Sequence, residues 1–178
     1  MRVPVSAELL RCRVKQEVVV VAKAFATFAA GCFWSVEARL GEISGVIETT
    51  VGYEGGHVQG PTYKDVCTDQ TGHAEVVQVL FDPSRVSYDT LLDHFFALHD
   101  PTQLNRQGPD LGTQYRSVIF VHTEDQRREA ELKIAELNAA GVYRNRIVTT
   151  VEPASTFWEA EEYHQRYLEK RGMVACHI

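Results

Sequence analysis

From residue 24 onward the apolar and polar positions fall into short blocks of changing period, each closed by Gly, Pro or Asp. The apolar run at residues 24 to 29 reads as a buried strand, and residues 33 to 40 as a helix. Residues 46 to 53 form a second strand, closed by the turn Gly52-Tyr53-Glu54-Gly55-Gly56, and a loop bearing Gly and Pro follows. Residues 75 to 81, Glu-Val-Val-Gln-Val-Leu-Phe, make a third strand stopped by Asp82-Pro83. Ser87 can cap a helix through residue 98, with Leu91, Leu92, Phe95, Phe96 and Leu98 on its apolar face and Asp100-Pro101 beyond its end. Residues 99 to 116 form a polar loop longer than a compact domain carries without a functional reason. A strand at 117 to 122 follows. Thr123 and Gln126 then make a capping box for a helix to residue 140, with Gly141 as its stop. A strand at 147 to 152 comes next, and Thr156 with Glu159 opens a last helix to about residue 170.

The order strand, helix, strand, strand, helix, strand is the split βαβ arrangement. It predicts an α+β, ferredoxin-like two-layer sandwich: a mainly antiparallel sheet, helices on one side, an extra strand and helix, and a coiled C-terminal tail. At 178 residues the chain reads as one domain, a catalytic unit at 24–170. An N-terminal extension at 1–23, expected to be disordered in its first half, and a tail at 171–178 flank it.

Charge and cysteines narrow the functional classes. The net charge of -6 is spread along the chain with no basic stripe, which argues against nucleic acid as a partner. No segment reaches the length of apolar sequence needed to cross a membrane. Glu17 and Lys23 break into the apolar stretch near the start, and Ala29 lacks the branched side chain of a lipoprotein cleavage site, so a cytoplasmic protein is expected. The four cysteines, Cys12, Cys32, Cys67 and Cys176, form no C-x-x-C pair. Reduced thiols, with at most a transient disulfide, are expected rather than a zinc site.

Cys32 is the first candidate nucleophile. It stands where an apolar strand hands over to a helix, and the free N–H groups of a helix N-terminus favour a thiolate. Gly31 before it implies close backbone approach, and Phe33 and Trp34 after it an aromatic wall. Strand-end polar residues add Tyr63, Glu75, and Asp110 and Tyr115 in the long loop. Taken singly, each has a plain structural explanation. His57, His73, His94, His99 and His164 read as surface or internally satisfied histidines, and Cys67 as a small packed hydrophobe.

Together, however, the blocks Gly31-Cys32-Phe33-Trp34, Gly52-Tyr53-x-Gly55-Gly56, Pro61-Thr62-Tyr63-x-x-Val66-Cys67, Thr71-Gly72-His73-Ala74-Glu75, His99-Asp100-Pro101 and Gly112-Thr113-Gln114-Tyr115-Arg116-Ser117 occur in order. In this the chain resembles the peptide methionine sulfoxide reductase A family over roughly residues 24 to 170. The resemblance implies reduction of methionine S-sulfoxide, free or in oxidised proteins, with Cys32 as nucleophile. Glu75, Tyr63 and Tyr115 would bind or protonate the sulfoxide oxygen, and Asp110 would help organise the pocket. Phe33 and Trp34 would receive the substrate methyl group. It further implies a sulfenic acid at Cys32, a Cys32–Cys176 disulfide and reduction by thioredoxin, with no bound cofactor or metal and a monomeric protein. Cys12 stands as a weaker alternative for the resolving thiol.

Two other readings remain open from the residues alone. One is a thiol hydrolase or peroxidase in which a histidine such as His73 serves Cys32 as base. The other is a lipid-anchored or binding domain in which Cys32 is modified or packed. A cysteine phosphatase fits less well, because Arg39 falls one position too late for a C-x-x-x-x-x-R loop.

Overall fold

The computed structural model describes residues 22 to 173. Its strands are β1 (Ala24–Ala30), β2 (Val46–Glu54), β3 (Ala74–Phe81), β4 (Arg106–Gln107), β5 (Asp110–Leu111), β6 (Ser117–Val121), β7 (Thr150–Pro153) and β8 (Trp158–Glu159). The helices are α1 (Phe33–Gly41), α2 (Tyr63–Val66), α3 (Tyr88–Ala97), α4 (Glu124–Ala139) and α5 (Tyr167–Lys170), with a 3₁₀ turn at Thr113–Tyr115.

Six strands form one sheet in the order β7-β6-β1-β3-β2-β8, all antiparallel except β6 with β7. The central four, β6-β1-β3-β2, are the split βαβ order expected from the sequence. Side chains alternate across the sheet. Ala26, Phe28, Ala30, Val51, Val77, Val79, Phe81, Ile119 and Val121 face the helices and join Val36, Leu40, Leu91, Leu92 and Phe95 in the main core. Ala29, Val76, Val118 and Phe120 face the other way, where the segment around Ala154 and Phe157 covers them. Phe28 is completely buried and stacks on Phe95 at 5.1 Å between ring centroids. Truncation to Ala there removes on the order of 3–5 kcal/mol.

This topology collects four chain ends at one edge of the sheet. β1 and β2 finish there, while β3 and β6 begin there, because each pairs antiparallel with its neighbour: Ala30 lies opposite Ser117 and Tyr53 opposite Glu75. Everything in the connections after β1, before β3 and before β6 therefore meets at that edge.

Two sequence expectations are corrected. The segment proposed as a long helix from Thr156 is instead β8, a run of turns, and the single helical stretch α5. Its polar side chains serve neighbours rather than one helix face: Gln165 takes the N–H of Val51 at 2.9 Å and donates to its carbonyl, and Glu161 and His164 turn towards α1 and α2. Tertiary partners thus override local helix propensity. The strand expected at 147 to 152 shifts to β7. The long loop before β6 holds the hairpin β4–β5, and the Gly- and Pro-bearing loop holds α2, opened by a reciprocal capping box between Thr62 and Asp65. Among the described residues, no helix is long and apolar enough to cross a membrane.

Candidate active site

Cys32 is the N-cap residue of α1, with one residue between it and the strand end at Ala30. The chain turns there through Gly31 at φ +92°, and a Cβ at that position would lie 2.8 Å from Cβ of Gln107. Both the left-handed backbone and the close approach require glycine. The N–H groups of Trp34 and Ser35 point at the sulfur and favour its ionisation. They do not prevail: burial, and then the charge of Glu75, push the Cys32 thiol up to about 12. The helix N–H groups expected to favour a thiolate do act on the sulfur but are outweighed. Desolvation is the larger effect.

Glu75, at the start of β3, points to the helix side of the sheet and is 2% exposed. Its carboxyl accepts the Phe33 N–H at 3.1 Å, so it sits at the first turn of the helix that Cys32 opens. Burial, reinforced by the charge of Asp110, raises its pKa to about 8, against one lowering hydrogen bond from Phe33. At neutral pH Glu75 is mainly a carboxylic acid. Tyr63 opens α2 and Tyr115 closes the 3₁₀ turn before β6; both are partly buried. Both phenols are held un-ionised by burial and then by the charge of Glu75. Asp110, in β5, is near enough to act on Cys32, Glu75 and Tyr115.

Beside these groups stands an aromatic wall. Phe33 is buried and packs on Tyr63 at 6.5 Å, Tyr53 at 6.0 Å and Trp34 at 6.3 Å between centroids. Trp34 stacks on Tyr167 at 3.8 Å and 7°, and Arg171 lies over the far side of that tyrosine ring. The structure thus brings Cys32, Phe33, Trp34, Tyr63, Glu75, Asp110 and Tyr115 to one place. Cys12 and Cys176 lie outside the described residues. Cys67, expected to be packed, is exposed just after α2 and shares a hydrogen bond with Tyr63. A groove of about 740 Å³ along α1 and β2 shares Trp34 with the site but contains neither Cys32 nor Glu75.

Sequence reasoning missed a supporting layer drawn from the C-terminal segment. The Trp34 indole N–H donates to Nδ1 of His164 at 3.1 Å. Glu161 accepts the N–H of Tyr63 and the hydroxyl of Tyr53, both at 2.9 Å. Glu37, buried in α1, accepts the N–H of Arg166 at 2.9 Å and so fastens that segment to the helix. The signal was present in Glu161-Glu162-Tyr163-His164-Gln165-Arg166-Tyr167, a stretch with no apolar stripe to bury had it been helical.

His73 is not available as a base for Cys32. Its Nδ1 accepts the Gly56 N–H at 3.1 Å and its Nε2 is 2.7 Å from the Val58 carbonyl, so both nitrogens hold the loop after β2. His99 is likewise occupied by Phe95 and Ser117. Among the described residues no group of three or more His, Cys, Asp or Glu is arranged to hold a metal ion.

The site thus sets a cysteine at a helix start beside a buried acid, two phenols and an aromatic wall. Comparison with known proteins specifies the class. The family model for peptide methionine sulfoxide reductase matches residues 24–178. The peptide methionine sulfoxide reductase MsrA of Acidobacterium capsulatum is 60% identical over 153 residues, covering 86% of this chain and 98% of that one. Mxr1 of Saccharomyces cerevisiae in reduced form aligns with a TM-score of 0.78 at 38% identity, covering 87% of this chain and 89% of that one. The same yeast protein in complex with Trx2 aligns at 0.56 and 30% identity, covering 82% and 84%. The chain belongs to the peptide methionine sulfoxide reductase family, and as an enzyme it is a peptide-methionine (S)-S-oxide reductase.

Proposed function

We propose that the chain reduces methionine S-sulfoxide, free or within oxidised proteins, by attack of Cys32 sulfur on the sulfoxide sulfur. The observation that carries this reading is Glu75: a buried acid, protonated at neutral pH, set at the first turn of the helix that Cys32 caps. A sulfoxide oxygen leaves poorly unless it is protonated or hydrogen-bonded as the S–O bond breaks. Glu75 supplies the proton, and the Tyr63 and Tyr115 hydroxyls supply further hydrogen bonds. Asp110 helps to hold Glu75 in its acid form, since its charge is one cause of the raised pKa.

Bonds and protons balance. The Cys32 sulfur bonds to the substrate sulfur as the substrate S–O bond breaks, and the oxygen leaves as water with one proton from Glu75 and one from the thiol. Water then bonds to the Cys32 sulfur as the S–S bond breaks and returns one proton to Glu75, so thiol and sulfoxide become sulfenic acid and sulfide; the substrate sulfur is reduced by two electrons and the cysteine sulfur oxidised by two. Phe33 and Trp34 receive the methyl group. With the oxygen fixed at the acid and the methyl at the wall, only one configuration at sulfur leaves the lone pair directed away from Cys32.

We assign Cys176 as the resolving thiol, which would convert the sulfenic acid to a Cys32–Cys176 disulfide with loss of water. Thioredoxin is the proposed reductant, supported by the yeast relative whose structure was solved in complex with Trx2. We further propose that the enzyme works as a monomer in the cytoplasm, repairs oxidised proteins under oxidative stress, and uses no bound cofactor. The test is to incubate the reduced enzyme with each methionine sulfoxide epimer separately and count methionine released per enzyme. Release from the S epimer only is expected; release from the R epimer alone, or turnover of hydrogen peroxide without sulfoxide reduction, would overturn the reading.

A further inference from the structure

Asp69 lies in the connector between α2, which starts with Tyr63, and β3, whose second residue is Glu75. It is a non-glycine residue at φ 62°. That conformation strains an ordinary L-residue and not glycine. What aspartate adds there is a carboxylate aimed across the site. Its Oδ1 accepts the Thr113 N–H at 2.8 Å and the Thr113 hydroxyl as well. The other end of Thr113 is also held: its carbonyl accepts from Nη1 of Arg116 at 3.0 Å, while Nη2 of Arg116 donates to the Gly72 carbonyl at 3.1 Å. Asp69 and Gly72 belong to one connector, and Thr113 and Arg116 to the start and end of the turn that carries Tyr115.

Loop is thus fastened to loop at both ends of a single residue, by one carboxylate and one half-buried guanidinium whose charges also favour one another. Without these bonds the turn is anchored by Gly112 and Tyr115 backbone contacts of its own, such as Tyr115 N–H to the Gly112 carbonyl at 3.1 Å, which do not reach the Glu75 side. We propose that Asp69, with Arg116, is a positioning residue of the reductase: the clasp fixes the Tyr115 hydroxyl relative to Glu75 and Tyr63 so that all three address one substrate oxygen. This rests on the reading of Tyr115 as a donor to that oxygen.

Asp69→Gly removes the carboxylate and relieves the backbone, so folding is not at risk. The test compares the parent, Asp69→Gly, Asp69→Asn, Tyr115→Phe and the double variant in single-turnover release of methionine, with KM from steady state and thermal midpoints measured alongside. Asp69→Gly is expected to slow the single-turnover rate about tenfold, with KM within about twofold and the midpoint not lowered. Asp69→Asn, which keeps an acceptor for the Thr113 N–H and tolerates the left-handed backbone, restores most of the rate. In the Tyr115→Phe background, Asp69→Gly adds no further loss, because the hydroxyl it positions is gone. If Tyr115→Phe is slow while Asp69→Gly matches the parent, the clasp is overturned and the reading of the site stands. Multiplying losses in the double variant likewise overturn it. If Tyr115→Phe is itself silent, the donor reading fails, and the clasp's role falls with it.

Discussion

Replacing Glu75 by Gln tests the central physical claim from two directions. A carboxyl whose value rises from 4.5 to about 8 on folding destabilises the fold as it approaches ionisation. The stability it contributes is fully present below pH 4.5 and lost as pH rises through about 8. The whole span corresponds to roughly 5 kcal/mol, of which about 3 kcal/mol is already lost at pH 7. Glutamine has nearly the same shape, can still accept the Phe33 N–H and does not titrate. Urea unfolding followed by tryptophan fluorescence at pH 5, 7 and 9 should therefore show the variant gaining on its parent by about 3 kcal/mol near neutrality and more above it. Glu37 and Glu54, raised by burial to about 7 and about 6, titrate alike in both proteins and drop out of the difference. A difference independent of pH would refute the argument that Glu75 is a buried acid.

The same variant separates hydrogen bonding from simple occupancy in the chemical step. The parent's sulfoxide reduction should fall as pH rises through about 8, where the acid ionises, and Glu75→Gln should lack that limb. Its rate should fall, because an amide donates a hydrogen bond but no proton, yet by less than in Glu75→Ala, which leaves no donor and should cost on the order of a hundredfold or more. Equal losses in Gln and Ala would count against a neutral donor.

Other outcomes follow from the same geometry. Cys32→Ser should abolish methionine release, measured by chromatography of a single turnover. Cys176→Ser should leave one turnover intact and block thioredoxin-driven cycling; full cycling would move the resolving role to Cys12 or Cys67. Gly31→Ala should lower stability by about 2–3 kcal/mol in urea unfolding, from the left-handed φ and the 2.8 Å approach to Gln107. Iodoacetamide should label Cys32 slowly in the free enzyme near neutral pH, as a thiol pushed up to about 12 implies; rapid labelling would show that the helix N–H groups outweigh burial.

The central fold was legible because its strands bury one or both faces and its helices carry apolar stripes: residues 24 to 29, 75 to 81 and the Leu91-Leu92-Phe95-Phe96 face could hardly be read otherwise. The site residues were legible through motif blocks, and the antiparallel order explains why such distant blocks meet. The C-terminal segment was not legible. Its Thr156-x-x-Glu159 signature mimics a capping box, yet Glu161, His164 and Gln165 are used on Tyr63, Trp34 and Val51. Partners of that kind lie about a hundred residues away in sequence, where no local pattern reports them. The raised pKa of Cys32 was hidden for a related reason. Position at a helix start is local information, whereas burial depends on the whole fold.

That last point bears on how the site can be both stable and reactive. At neutral pH Glu75 holds its proton, so its charge no longer bears on Cys32, but burial still keeps the sulfur protonated. In the proposed mechanism a sulfoxide entering with its oxygen at Glu75 and its methyl at Phe33 would bring the positive end of its S–O dipole towards Cys32 and the negative end towards the acid. The first favours loss of the thiol proton, and the second favours retention of the carboxyl proton until the S–O bond weakens. Trp34 and Ser35 N–H groups, already aimed at the sulfur, would then stabilise a thiolate absent from the free enzyme. Reactivity so arranged would be drawn out by the substrate itself, which would make slow alkylation of the resting thiol and fast reduction of a bound sulfoxide compatible properties of one cysteine.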